Sequence, residues 1–524
     1  MKNQILKFMA GGAIALTAAA CTGDYLDINT NPFEPTDLGA DGYLMVSAMS
    51  NVCGTVVPAD VNCNQFTDCL LGGTQGGYFA DGANFLTSFS RYNAPNNWTS
   101  VFLSDSKIIP TLYSNIAIIR GYCERNGQHA PMAVANIIKV ATMLRVTDCY
   151  GPIPYSQIGA EGVMMTPYDS QEEVYNAFFA DLNQAITDIN EYSSEQIIPT
   201  ADAVYAGNLQ NWVRFANSLK LRLAVRIAYA NPTLAKQMAE EAIDPANGGV
   251  IEDNNQNASW KYYASSTNPM YTASRYNAHD SRAAADIICY MNGYSDPRRE
   301  KYFEGCQWPG VDYAGIRRGW ESFSTSWSVN FCDIAINPNE PLMWQNAAEV
   351  AFLRAEGVAV FGWNMGGTAE SFYNKGVELS FEQYGVSGAA DYLADNTSVP
   401  AGYVDPSGVN PWNGTLPAVT IKWDESATTE KKQERIIIQK WIANYKLGNE
   451  AWADIRRTGY PKLIPVAYNG SGGVVDSNRG PERMVYPQDE YTNNGDNVNF
   501  AVTNYLKGPD NMATKLWWAC KPGL

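Results

Sequence analysis

Histidine is almost absent from this chain: His129 and His279 are the two in 524 residues. With two imidazoles in the whole chain, neither a histidine metal centre nor a His-based triad is expected. The ten cysteines include no CxxC pair, so a zinc ribbon has no ligand set. Positive charge is also scarce. Thirty-seven Lys and Arg stand against 54 Asp and Glu, a net charge of −17, and such a surface repels nucleic acid and anionic headgroups. No nucleic-acid role is expected. Past residue 20 no apolar run reaches the ~20 residues that a spanning helix needs. No spacing among the acids singles out a catalytic carboxylate pair. No catalytic residue, metal or cofactor is expected.

What is present begins with Met1-Lys2-Asn3-Gln4, an apolar stretch from Ile5 to Ala20, and then Cys21. Lys2 and Lys7 give the positive start, and Ala18-Ala19-Ala20 lead directly into the cysteine. The stretch is too short and too rich in small residues to span a bilayer, and it reads as a secretory signal. A small-residue triplet before a cysteine resembles the lipobox of bacterial lipoproteins. That implies a signal peptide over 1–20, cleavage before Cys21 and a lipid anchor on Cys21, which holds a folded body on a membrane without a spanning segment. Residues 21–35 are polar and rich in Asn and Pro, and read as a tether. Asp27-Ile28-Asn29-Thr30-Asn31 fails as a calcium loop: Pro32 stands where the glycine is needed and Leu38 where the bidentate acid is needed.

Residues 36–90 mix short apolar stretches with glycine. Gly72-Gly73 and Gly76-Gly77, followed by Tyr78 and Phe79, suggest a loop presenting aromatics. Trp98 precedes an amphipathic helix at about 104–125. Helical spacing then becomes strong. Tyr175, Phe178, Phe179, Leu182, Ala185, Ile186 and Ile189 keep the i, i+3, i+4, i+7 pattern behind a Ser170 cap. Three helix pairs follow from the periodicity: 130–148 with 170–191, 208–230 with 232–243, and 343–362 with 368–385. The last resembles a degenerate tetratricopeptide unit. Further helices are expected at about 428–447 and 450–457, with an irregular tail from 461. Between about 250 and 335 periodicity fades except at 281–293, and aromatics crowd among Asn, Ser, Gly and Arg. Long irregular segments on a rigid scaffold are the usual home of binding residues.

An ordered set of motifs resembles the SusD/RagB family of Bacteroidota outer-membrane nutrient-binding lipoproteins, in its SusD-like second branch. Asp24 to Pro32 is similar to the family's start, and Asp148-Cys149-Tyr150-Gly151-Pro152-Ile153-Pro154-Tyr155 to its D-x-Y-G-x-x-P-Y turn. Phe215 to Arg222, Ser295-Asp296-Pro297-Arg298, Ala351 to Glu356, Gln439-Lys440-Trp441, Glu450-Ala451-Trp452 and Arg456 to Pro461 follow in order. The end departs from the pattern, with Ala519-Cys520 where an acid is expected. The resemblance implies a mainly α fold, in which tetratricopeptide-like helix pairs form a scaffold with a large irregular loop-rich binding face. One domain over 36–524 would carry the 250–335 insertion. It also implies a cell-surface protein that captures glycan or another nutrient over a SusC-like TonB-dependent transporter.

A sugar ring offers apolar C–H faces to aromatic rings and hydroxyls to polar groups, so loop aromatics beside polar residues are the candidates. Tyr78, Trp98, Trp320 and Trp327 meet that description. Asn96-Asn97 and Arg317-Arg318 supply polar neighbours, and core packing is the competing reading for each ring. Trp212, Trp344, Trp441 and Trp452 lie on helical stripes and are assigned to the core. Arg456-Arg457 reads as scaffold pairing rather than an anion clamp, and Asp148 as a structural cap. The competing functions are a ligand-free lid on the transporter, a peptide-binding homologue and a surface glycoside hydrolase.

Overall fold

The computed structural model describes residues 39–524, except 101, 104–107, 164, 262–266 and 322–323. The signal peptide, Cys21, the tether and the rejected calcium loop lie outside the described residues. Helices of nine residues or more are α1 (Gly39–Cys53), α2 (Ile108–Asn126), α3 (Ala130–Tyr150), α4 (Gln171–Glu191), α5 (Leu209–Arg226), α6 (Pro232–Ala242), α7 (Ala285–Gly293), α8 (Ala347–Phe361), α9 (Ala369–Gln383), α10 (Thr429–Ala443), α11 (Gly448–Thr458) and α12 (Gly495–Asn504). A π-helical segment covers Gln65–Gly73. Among the described residues four short strands, β1 (Phe79–Asp81), β2 (Ala258–Trp260), β3 (Ser281–Ala283) and β4 (Leu342–Gln345), form two antiparallel pairs, β1 with β3 and β2 with β4.

Helix pairs dominate. α3 packs on α4, α5 on α6 and α8 on α9, as the periodicity predicts, and α1 packs on α2. Local signals set the boundaries. Ser170 Oγ accepts from the Glu173 N–H while the Glu173 carboxylate accepts from the Ser170 N–H, a capping box that opens α4. Asn346 caps α8, and Gly362 ends it at φ +66°, a conformation that favours glycine. α9 then lies so close to α8 that a Cβ on Gly376 would approach the Phe352 ring to 2.7 Å.

Several expectations change. Ser281–Ala283 is β3 rather than the first turn of a helix, and Trp344 is buried on β4 rather than on a helical stripe. The tail from 461 carries α12 and a helical turn at Gln488–Asn493. α1 and the π-helical segment, rich in glycine and short polar side chains, were hidden by that composition.

The main apolar cluster draws on residues from Met45 to Ala519. Ion pairs are built into it. Arg226 bridges Asp148 and Glu450, Arg222 holds Glu349 at 2.7 Å, and Lys440 holds Asp454 at 2.8 Å. Asp148 is thus a buried hub rather than a cap. It also accepts from Tyr175 Oη at 2.6 Å and from Trp518 Nε1 at 2.9 Å. The Arg456-Arg457 pair is scaffold. Arg456 donates to the carbonyls of Asp148 and Glu482, and Arg457 pairs with Glu356 and Asp454.

Candidate functional site

A long loop leaves the scaffold at Phe303 and returns at Ile334, where the two residues form an antiparallel bridge. Its aromatics make a small core of their own over β1 and β3. Ala80, Ala284, Ala314, Ile316, Trp320 and Phe331 are buried there, with Trp308 and Trp327 packed against them. The Ile316 N–H donates to the Ala283 carbonyl and the Ala285 N–H to the Ile316 carbonyl, both at 2.8 Å, which ties the loop to β3. Trp320 is 3% exposed. Trp327, half-buried, stacks on it with ring centroids 4.2 Å apart and planes 20° apart, an arrangement aromatic pairs favour.

Two other loops meet this one. Ser328 Oγ donates to the Gly82 carbonyl at 3.0 Å, and Arg91 Nη2 to the Glu321 carbonyl at 3.2 Å. The Tyr468 N–H donates to the Gly319 carbonyl at 2.6 Å, and the Gly470 N–H to the Arg91 carbonyl at 2.7 Å. The Arg91 guanidinium lies 5.6 Å from the centre of the Tyr468 ring. The three loops expose Leu86, Val329 and Tyr468. Beneath them Asp81 accepts from Ser88 Oγ at 2.8 Å and from Ser90 Oγ. Burial pushes the Asp81 carboxyl above the usual range, against those two hydroxyl bonds.

The four candidate rings fare differently. Trp320 and Trp327 come together as a stacked pair. Trp98 sits on a helical turn, Asn96–Thr99, half-buried against Phe66, Phe85 and Phe89 at 5.2–5.5 Å. The 82–98 segment therefore carries Trp98 at one end and contacts the Trp327 loop at the other. Tyr78 lies in the main core. Its ring stacks on Trp441 at 5.6 Å and its hydroxyl donates to the Trp441 carbonyl at 2.5 Å, which occupies both ring and hydroxyl. The arginines beside Trp320 are committed elsewhere. Arg318 donates to Asp286 Oδ2 at 2.9 Å, and Arg317 to the Pro465 and Pro411 carbonyls.

Sequence reasoning missed Arg91 and Tyr468. Tyr468 stands in Tyr468-Asn469-Gly470-Ser471-Gly472-Gly473, a glycine-flanked aromatic of the kind that drew attention to Tyr78. It also missed a cavity of about 620 Å³ at the foot of the same long loop, within the range of small-ligand sites. Met270, Ile336, Leu342 and Tyr384 give it apolar walls, and Lys301 and Glu304 put both signs of charge at it. Among the described residues no group of three His, Cys, Asp or Glu side chains is placed to hold a metal ion. No helix among them is long and apolar enough to cross a membrane.

A family model described as SusD-like, "Susd and RagB outer membrane lipoprotein", matches residues 27–519. A SusD homologue from Bacteroides uniformis ATCC 8492 is 55% identical, with a TM-score of 0.89 over 91% of this chain and 100% of that one. A chitin-binding SusD homologue from Flavobacterium johnsoniae is 37% identical, with a TM-score of 0.84 over 91% and 99%. A SusD homologue from Bacteroides thetaiotaomicron VPI-5482 is 38% identical, with a TM-score of 0.82 over the same shares. No curated protein matches. Motif order, paired-helix scaffold and these likenesses agree, and the chain belongs to the SusD-like family of SusD and RagB outer-membrane lipoproteins.

Proposed function

We propose that this lipoprotein is a non-catalytic glycan-capture protein. It is held on the cell surface through a lipid on Cys21 and delivers its ligand to a SusC-like TonB-dependent transporter. Residues 36–524 act as one domain whose 250–335 excursion shapes the capture face. The observation that carries this reading is the Trp320–Trp327 stack, raised on a loop of a rigid helical scaffold and met by two further loops. An indole face covers the C–H face of a sugar ring, and neighbouring amides and hydroxyls suit its edges, while Arg91 is buried and holds the loops together through the Leu86 and Glu321 carbonyls. The likeness to a chitin-binding homologue supports a glycan over other nutrients. The net charge of −17 favours neutral glycans over polyanionic ones.

Affinity gel electrophoresis across a polysaccharide panel tests the proposal. Retardation by at least one glycan, weakened by Trp327→Ala with the circular dichroism spectrum unchanged, is the expected result. Migration unaffected by every glycan would favour a ligand-free lid or a peptide binder.

A further inference from the structure

Of the nine cysteines after Cys21, eight are at least half-buried in this structure. Two of them meet at the base of the aromatic loop. Segments 304–307 and 330–333 run antiparallel between two backbone rungs, Glu304 N–H to the Asp333 carbonyl at 3.0 Å and Gln307 N–H to the Asn330 carbonyl at 2.7 Å. Cys306 lies between the rungs on one segment and Cys332 on the other. Both residues also donate their N–H groups to one short stretch, Cys306 to the Asp312 carbonyl and Cys332 to the Ala314 carbonyl, each at 3.0 Å. The Cys306 thiol donates to the Val311 carbonyl at 2.9 Å, and the Cys306 and Cys332 thiols are hydrogen-bonded to each other. The rungs set Cys306 opposite Phe331 and Cys332 opposite Gly305, so the two cysteines are diagonal neighbours, and it is the contact between their thiols that puts them within the reach of a disulfide.

We propose that Cys306 and Cys332 are a disulfide-forming pair, and that the bond closes the segment carrying Trp308, Trp320 and Trp327. The chain reaches the outer membrane through the periplasm, an oxidising compartment. The reaction is an exchange with a disulfide oxidant. Cys306, the more accessible of the two, loses its proton, and its thiolate attacks one sulfur of the oxidant. One thiolate of the oxidant leaves, and a mixed disulfide forms. Cys332 then loses its proton and attacks the Cys306 sulfur, releasing the second thiolate. The protein has given up two protons and two electrons, and the oxidant ends as two thiols. Burial pushes the Cys332 thiol up to about 12, which leaves it a poor first nucleophile, so attack starts at Cys306 and Cys332 follows only once the mixed disulfide holds a sulfur beside it. The bond restricts the opened states of the aromatic loop, the main route by which disulfides stabilise. It leaves the reduced contacts of the Trp320–Trp327 stack in place.

The test is peptide mapping of the full-length lipoprotein in detergent, incubated with oxidised glutathione, alkylated without reduction and digested. The expected result is a linked peptide pair containing Cys306 and Cys332, lost on reduction and absent in Cys306→Ser. Oxidised protein should also resist limited proteolysis between 307 and 331 several-fold longer than reduced protein. Separate alkylation of both cysteines after oxidation, or linkage of either to another cysteine, would overturn the proposal. The readout is the bond itself, so it is independent of whether any glycan binds.

Discussion

Arg457 and Glu356 form a two-pronged ion pair sealed from solvent, with Nη1 to Oε1 at 2.6 Å and Nη2 to Oε2 at 2.8 Å, both side chains fully buried. The pair fastens α11 to α8, and Gln433 of α10 donates to the same carboxylate at 2.8 Å. Removing one partner of a buried pair costs about 3–5 kcal/mol where it strands the other charge, and Asp454, 3.0 Å from Arg457 Nη2, keeps Glu356→Gln toward the lower end of that range. Glu356→Gln should lower the urea midpoint accordingly. The double change Glu356→Gln with Arg457→Met should cost less than the sum of the two single changes. A single-variant loss below about 1 kcal/mol would be inconsistent with this pairing.

Asp280 gives a pH signature. Burial raises its carboxyl first, the Gln65 amide bond at 2.6 Å opposes that, and Asp81 across the β1–β3 pair raises it again, to about 7 from an ordinary 3.8. A folded-state value above the unfolded one means that the folded protein binds the proton more tightly. The group's stabilising contribution is full below about pH 4 and is lost as pH rises through about 7. At about 1.4 kcal/mol per pKa unit this amounts to a few kcal/mol. Asp280→Asn keeps an oxygen for Gln65 and removes the titration. Unfolding midpoints at pH 5 and pH 8 should then differ less in the variant than in the parent.

Tyr78 is expected to matter for stability alone. Tyr78→Phe removes the hydroxyl bond to the Trp441 carbonyl and leaves that buried oxygen without this donor. The cost should be about 1 kcal/mol, up to ~3 if the oxygen finds no other donor. Denaturant titration would show it, and glycan retardation should not change.

Trp320 and Trp327 should separate packing from capture. Trp320 is buried beneath its partner, so Trp320→Ala should cost about 3–5 kcal/mol. Trp327→Ala removes the half-buried outer ring and should lose glycan affinity with a smaller drop in melting temperature. Equal stability losses with no change in affinity for either would place both rings in packing only.

The paired helices were legible because their signals are local. The stripe from Tyr175 to Ile189 and the Ser170 cap need no distant partner to declare a helix. The site was less legible because exposure is decided across the chain. Tyr78 has the glycine flanks of a surface loop, yet its hydroxyl bonds a residue 363 positions away. Trp320 lies in a loop by composition, and that loop folds over it to make a core of its own. Lys301, Ile336, Tyr384 and Lys446 meet at one cavity only after the helix pairs stack, and no spacing in the sequence records that meeting.

The measurement that bears most directly on the central claim is a calorimetric titration of the protein, freed of its lipid-bearing residue, with oligosaccharides that include chitin fragments. The account predicts saturable binding of at least one glycan, weakened tenfold or more by Trp327→Ala, with the fold intact by circular dichroism. No heat of binding with any glycan, from protein shown to be folded, would contradict it.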